Sequence, residues 1–432
     1  MTDTLWHKPS AGHLHPLLAA YTVGDDPTLD LALLPYDIQA SKAHAKGLKK
    51  IGILTEQEED RIFHALSDLN DLAKQGKVKI EAKDEDCHTV IEHYLTEKLG
   101  PAGSKIHTSR SRNDQVLTAL RLFMKAHLAT IHSALLGLAA EFLAKAEEHN
   151  ALPFPGYSHT QQAMLGSLGH YYASFTEHLI EDAEFLQNVL AHIDKNPLGS
   201  AAGFGVALPL DREGTTTELN FAKIQINSLA CQTSRGKFEA AVLEALVQIM
   251  MTLGRFANDM LFFTARECDF FTADDTLVTG SSIMPQKRNL DGLEVLRGYG
   301  SIVMGHQHAI QNIAFRLLSG YNRDLQLLKK PLMESLAIVT SSIAVAGIYL
   351  QGLTPKEGNI RKAITPAIVL ADIATSLAAE KGIPFRDAYL LASSHTPDAP
   401  DLDRNLQSKI SMGAAGNLCL EEYRKRLAAL GK

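Results

Sequence analysis

The 432-residue chain predicts a mainly α-helical fold organised around a central bundle of long helices. Three observations point there. Apolar residues recur at helical rather than alternating spacing almost everywhere. Several stretches without proline run far longer than a typical globular helix. Some of them carry apolar residues on more than one face, so they must be covered by neighbours in the bundle and by other subunits.

The first clear element is TEQEEDRIFHALSDLNDLAKQG. Thr55 and Glu58 stand in capping-box spacing, Ile62, Leu66, Leu69 and Ala73 share one face, and Gly76 ends the run. KVKIEA, near residue 80, alternates and predicts a short strand. Residues 113–149 contain no proline, and Val116, Leu120, Phe123, Leu128, Ile131, Leu135, Leu138 and Phe142 recur at steps of three to five. Such a helix would be on the order of 50 Å long. Similar helices are expected over residues 161–191, 238–263, 291–315 and 324–353, with GVALPL after Gly205 as a second brief extended piece. Gly352, Pro355 and Gly358 arrive together and mark a boundary. The chain therefore divides into a mixed, mostly helical segment 1–107, a long-helix segment 108–353 and a helical segment 354–432.

Composition narrows the function. With 45% hydrophobic residues the chain can bury a large core, and a formal charge of −7 gives nothing to recruit nucleic acid or anionic lipid. Small molecules and further copies of the chain are the expected partners. Cys87, Cys231, Cys268 and Cys419 lie far apart, which fits reduced thiols better than disulfides or a zinc site. The opening MTDTLWHKPSAGHLHPLL has no apolar signal core, so a cytoplasmic location is expected. The uncharged run SLAIVTSSIAVAGIYLQGLTP is almost long enough to span a bilayer, but its hydroxyls and glycines favour a bundle helix. PLGSAAGFG lacks the spacing of a nucleotide loop, and the pairs His13/His15 and His306/His308 lack a third ligand, so neither cofactor nor metal is expected.

Four polar clusters stand against this apolar background: EDCHTVIE around His88, HTSRSRNDQ from His107, GYSHTQQ from Gly156, and TGSSIMPQKRN running into LDGLEVLRG. Each has a plain structural reading. Asn113 could cap a helix with Asp114 on its dipole, His159 could begin a helix, Glu294 stands three residues after Asp291 in capping spacing, and the serine loop could be a linker.

Taken together, the clusters carry a resemblance. GSSIMPQKRN is similar to the signature loop of the fumarase/aspartase superfamily, and HTSRSRNDQ, GYSHTQ, YDIQASKAHAKGL, GYNRDLQLLKKP and KGIPFRDAY narrow the likeness to the argininosuccinate lyases. The resemblance implies a three-domain fold whose central bundles join in a homotetramer, sites built where three subunits meet, and no metal or organic cofactor. It also implies anti elimination of fumarate from a succinyl amine. A proton leaves a very weakly acidic carbon beside a carboxylate, so a strong base and support for a dianionic aci-carboxylate are both required. Matching positions make Ser281 the base, with Lys287 biasing its ionisation, and His159 the acid side, with Glu294 fixing its tautomer. The reverse assignment, His159 as base, stays open. Arg112, Asn113 and Ser158 match positions that bind the fumarate half, Lys287 and Asn289 those that bind succinyl carboxylates, and Tyr321, Gln326 and Lys329 those that grip the arginine half. His88 and Asp30 fall at other positions lining the site.

The chain departs from the pattern in places. HKPSAG stands where a Gly-Gly-Arg-Phe-like segment is usual, Asp26 where a substrate-binding serine is usual, and Leu290 where a proline follows the loop asparagine. NSLACQTSRGKFE keeps only Asn227, Ser228 and Leu229 of a more polar stretch. An aspartate at 26 could pair with a guanidinium or simply sit in a solvated turn. A sister lyase acting on another N-substituted aspartate, and a non-enzymatic crystallin-type protein, are the alternative readings.

Overall fold

The computed structural model describes residues 15–81, 83–394 and 399–431 and is helical through most of that length. Helix starts follow local chemistry. The helix Glu56–Lys74 opens on the expected capping box: Thr55 Oγ1 accepts the Glu58 N–H at 3.2 Å and Glu58 Oε2 accepts the Thr55 N–H at 2.9 Å. Its Ile62, Leu66 and Leu69 are buried, and the helix packs against Asp26–Lys50. The long helix Arg112–Glu148 is capped differently from the expectation. Ser111, not Asn113, is the cap: its hydroxyl accepts the Asn113 N–H at 3.3 Å, while Asp114 Oδ1 takes the Ser111 N–H at 3.0 Å. Leu168–Ile193, Lys237–Phe263, Asp291–Phe315 and Lys329–Gly352 are further long helices, the last preceded by a 3₁₀ turn, Arg323–Leu328.

Two compact units can be distinguished, each assembled from separate parts of the chain. The first comprises Met1–Thr130, Leu186–Ala245 and Val303–Ala337, the second Ile131–Phe185, Leu246–Ile302 and Ile338–Lys432. Their limits fall inside helices, whereas the boundaries near 107 and 353 read from chain order fall where long helices start and stop.

In the first unit, the glycine-bearing PLGSAAGFG is a cradle for a carboxylate of the protein itself. The Gly199 and Ala201 N–H groups donate to Asp114 Oδ2, both at 3.0 Å. This use of the loop is internal to the fold. The strands expected at KVKIEA and GVALPL do not form in the described residues. Lys195–Asn196 and Lys223–Ile224 pair instead as two short parallel strands.

In the second unit, the helix expected over 161–191 starts only at Leu168 and runs to Ile193. The seven residues before it form β2 (Gln161–Ser167), antiparallel to β1 (Pro153–Ser158). Phe154 anchors this hairpin against Phe263, Phe270 and Tyr171. Gln162 ties it to the chain after Gly352: its amide donates to Ala363 O at 2.7 Å and accepts the Thr365 N–H at 3.1 Å. Among the described residues, three helices, Arg112–Glu148, Ser228–Phe263 and Arg323–Gly352, are long and apolar enough to cross a membrane by length and composition. The first nevertheless carries a buried guanidinium, Arg121, which donates to Ser234 Oγ at 2.7 Å, as expected of a bundle helix.

Candidate active site

A cavity of about 130 Å³ lies in the first unit, lined by Asp30, His88, Arg112, Asn113, Tyr321, Gln326 and Lys329, all expected site residues. That volume takes one end of a small molecule, about the size of a benzene ring. Asp26, Glu85, Asp86, Val116, Arg235 and Arg323 complete the lining.

Its charges are arranged in pairs. Lys329, 3% exposed, places its ammonium 2.7 Å from Asp30 Oδ1 and 2.8 Å from Asp26 Oδ1. Burial works against its charge, but the two carboxylates prevail and hold its pKa above the ordinary value. Asp30 Oδ2 also accepts the Cys87 N–H at 3.3 Å. Asp26 is thus no solvated turn residue. Burial and the neighbouring Asp30 raise its pKa against the pull of Lys329 and Arg235.

Asp86 does two jobs. One oxygen caps the helix Cys87–Leu99 by accepting the Thr89 N–H at 2.9 Å, and the other takes Arg112 Nε at 2.7 Å. Glu85 Oε2 lies 2.8 Å from the same guanidinium. Arg112 is thereby fixed at the first turn of its helix, with Asn113 beside it.

Beneath them, His88 Nδ1 and Asp37 Oδ2 are 2.7 Å apart, and Arg110 lies 3.3 Å from the other Asp37 oxygen. Desolvation opposes both charges, yet the pair wins: the His88 pKa is raised and that of Asp37 lowered. His88 Nε2 is buried without a hydrogen-bond partner. Gln326 donates to Thr22 O at 2.9 Å and Val23 O at 2.8 Å, and the Arg235 guanidinium lies 5.9 Å from the centre of the Tyr321 ring.

The remaining expected residues belong to the second unit and do not line this cavity. Ser158 and His159 sit at the tip of the β1–β2 hairpin, both exposed. The register pairs Ser158 with Gln161, so His159 and Thr160 form a two-residue turn with φ of 53° and 58°. That is the primed geometry normally given to Asn-Gly, and a β-branched threonine there is strained. His159 is therefore at a strained turn rather than a helix start.

The loop Thr279 to Asn289 is closed by a pair of backbone hydrogen bonds between its ends, each 2.9 Å. Inside it, Ser281 Oγ accepts the Met284 N–H at 3.1 Å and the Ile283 N–H at 3.4 Å. Two amide donors on one hydroxyl oxygen favour its ionised form. Lys287 is exposed, as are Ile283 and Met284. Leu290 is buried, and its carbonyl accepts from Glu294 N at 3.3 Å at the start of the helix Asp291–Phe315. The exposed Glu294 does not close a capping box there; Asp291 instead accepts the Thr279 hydroxyl at 2.5 Å. Among the described residues, no hydrogen bond or ion pair joins His159 to Glu294 or Ser281.

Other expectations are also placed. His15 caps the helix Pro16–Val23 through Nδ1, 3.3 Å from Leu17 N, and His306 Nδ1 bonds Ser335 Oγ at 2.9 Å. His13 and HKPSAG lie outside the described residues. The buried Asp30, Cys87 and His88 offer ligand atoms within 4.8 Å of one another, but Lys329 already neutralises the aspartate and Asp37 holds the imidazole. Sequence reasoning missed Arg235, Glu85, Asp37 and Arg323. Asp37 lay inside a quoted motif, whereas Arg235 had no local signal beyond standing in an altered stretch.

A model of the lyase family matches residues 22–305. Argininosuccinate lyase of Xylella fastidiosa is 42% identical over 430 residues, covering 99% of this chain and 96% of that protein. The argininosuccinate lyase of Sorangium cellulosum is 41% identical, covering 99% of each. Among solved structures, EDDS lyase in complex with formate superposes with a TM-score of 0.80 at 22% identity, covering 97% of this chain and 90% of the other. A fumarate lyase:delta crystallin from Brucella melitensis gives 0.75 at 20%, covering 97% and 95%. These structural likenesses carry the fold, the full-length identities carry the family, and the chain belongs to the argininosuccinate lyases.

Proposed function

We propose that the protein cleaves L-argininosuccinate into fumarate and L-arginine, as a carbon–nitrogen lyase of arginine biosynthesis. The observation that carries this reading is the convergence of seven expected binding residues, separated by up to 299 positions in sequence, on one charged cavity. The base removes the proton beside the succinyl carboxylate, a C=C bond forms, and the C–N electrons leave with the guanidino nitrogen, which takes up a proton. Ser281 is the base, supported by the Ile283 and Met284 amides and by the charge of Lys287. His159 serves the acid side with Glu294 as its orienting carboxylate. Arg112, Asn113, Ser158, Lys287 and Asn289 bind the fumarate half, and Tyr321, Gln326 and Lys329 the arginine half, with Asp30 and His88 as lining.

In this reading the protein is a soluble cytoplasmic homotetramer in which one site draws residues from several subunits, and the chain-order division 1–107, 108–353, 354–432 describes its domains. The helix Asp291–Phe315 supports assembly, since Val295, Tyr299 and Ile302 leave an apolar stripe exposed at helical spacing. The resemblance calls for no metal or organic cofactor.

The test is release of fumarate, followed by its ultraviolet absorbance, from argininosuccinate and a panel of other N-substituted aspartates. Asp26 on Lys329 is the observation that favours a sister lyase, and cleavage of another panel member but not argininosuccinate would establish it. For the shared site, two inactive variants, Ser281→Ala and Arg112→Gln, should partly rescue one another when unfolded together and reassembled. Absence of any regained activity would place the whole site within one chain.

A further inference from the structure

Arg235 is the one guanidinium lining the cavity that is both buried, at 5% exposure, and without an anionic partner among the described residues. Its Nε makes no hydrogen bond; the guanidinium stands by the Tyr321 ring and is close enough to Asp26 to pull on its charge, without an ion pair between them among the described residues. A buried guanidinium without a carboxylate is costly unless a ligand supplies one. In the same cavity the opposite imbalance occurs. The single ammonium of Lys329 is shared by two carboxylates, Asp26 and Asp30, so that group carries one surplus negative charge. Asp30 spends its second oxygen on the Cys87 N–H, whereas the bond to Lys329 is the one ion pair that Asp26 makes among the described residues. Asp26, Asp30, Lys329 and Arg235 are together neutral, with a cation and an anion each left to satisfy.

We propose that Arg235 and Asp26 form a clamp for the α-amino-acid head of the leaving amine, the guanidinium taking its carboxylate and the aspartate its ammonium. A zwitterion satisfies both groups at once and brings no net charge into a buried site. The cavity has room for such a head and not for a whole extended substrate. With Asp26 present, Lys329 is a bridge between two carboxylates and no longer a free anchor for an anion, so the carboxylate falls to Arg235. The inference rests on the proposed elimination and names how its leaving group is selected.

The experiment measures kcat/KM for fumarate release from three substrates: argininosuccinate, its analogue lacking the α-carboxylate, and its analogue lacking the α-ammonium. The unmodified protein should disfavour each analogue by roughly 10- to 100-fold, the size of one charge-assisted hydrogen bond. Arg235→Gln should erase the discrimination against the first analogue alone, and Asp26→Ser that against the second alone. Loss on all three substrates in equal proportion, or unchanged ratios, overturns the clamp. Calorimetry on the unmodified protein covers the case in which a variant fails to fold. Free L-arginine should bind roughly 10-fold or more tightly than its decarboxylated counterpart, and equal affinities overturn the proposal. If argininosuccinate releases no fumarate, the proposed elimination of that substrate fails, and the calorimetric preference alone decides the clamp.

Discussion

In the first unit, three of the residues expected to bind substrate, Asp30, His88 and Lys329, are buried and already paired; in the second, those expected to move protons stand on a strained turn and a closed loop. Lys329, Asp30 and His88 are at most 4% exposed and held by carboxylates or amides at 2.7 to 3.3 Å. His159 and Lys287 have no side-chain partner among the described residues, and Ser281 has only two amides of its own loop. The difference follows from what each group must do. A charge that recognises a ligand gains from low dielectric and from being fixed before the ligand arrives. A group that transfers protons must reach the substrate, and water has to be excluded around it only once substrate is bound. On the proposed assignment, recognition can be largely finished within one unit, while proton transfer is left to reachable tips.

The comparison is broken most directly at the loop. Ser281→Ala should lower turnover by ~10²–10⁴-fold. The melting temperature should stay unchanged, because the side chain is outside the core, half-buried, and bonds only amides of its own turn. Turnover near that of the unmodified protein would move the base role to His159. A change behind the cavity, at the partner of its lining residue His88, should behave in the opposite way, with a large effect on stability. Asp37→Asn leaves buried His88 and Arg110 without their carboxylate and should cost about 3 kcal/mol in urea unfolding.

That cost should depend on pH with a definite sign. The raised pKa of His88 contributes stability that is complete below its ordinary value and is lost as pH rises through the raised one. The lowered pKa of Asp37 contributes stability present above its ordinary value and lost as pH falls through the lowered one. The difference between native and Asp37→Asn proteins should thus be largest at about pH 5–6, between the two limbs, and shrink as pH rises through the raised value of His88. It should not vanish, since Arg110 still wants its partner. A pH-independent difference would mean that His88 is neutral in the fold.

The smallest expected effect sharpens the contrast at the hairpin tip. Thr160→Gly removes a β-branched side chain from φ 58°, which should stabilise the protein by about 0.5–1 kcal/mol. If the strained turn aims His159, the same change should lower kcat a few-fold at unchanged KM. Greater stability with unaltered kcat would make the turn a purely structural oddity.

Much of the helical framework was legible because it rests on contacts between near neighbours. A cap such as Thr55 with Glu58 spans three residues, and the stretches 238–263 and 291–315 match the observed Lys237–Phe263 and Asp291–Phe315 almost to the residue. The polar stretches were legible for a related reason, since clusters of charge beside long apolar helices are visible along the chain itself. The hairpin was not. Its turn is made of His159 and Thr160 without a glycine or asparagine, and Pro153 and Pro155 disguise the first strand, so no local signal outweighed the helical period that follows. The plain reading of Asn113 as a cap does not hold, because Ser111 and Asp114 share the task across one turn, and Asp114 is chosen by amides more than eighty residues away.

What the sequence determined by itself, then, was where helices begin, how far they run and which residue types gather at their ends. Only the tertiary structure decided which charges face one another: Asp26 and Asp30 on Lys329, His88 on Asp37, and Arg235 beside Tyr321 with no ion pair among the described residues. The physical reason is range. Backbone hydrogen bonds and caps act over a few residues, whereas the state of a buried charge depends on every group within several ångströms, whatever its distance along the chain.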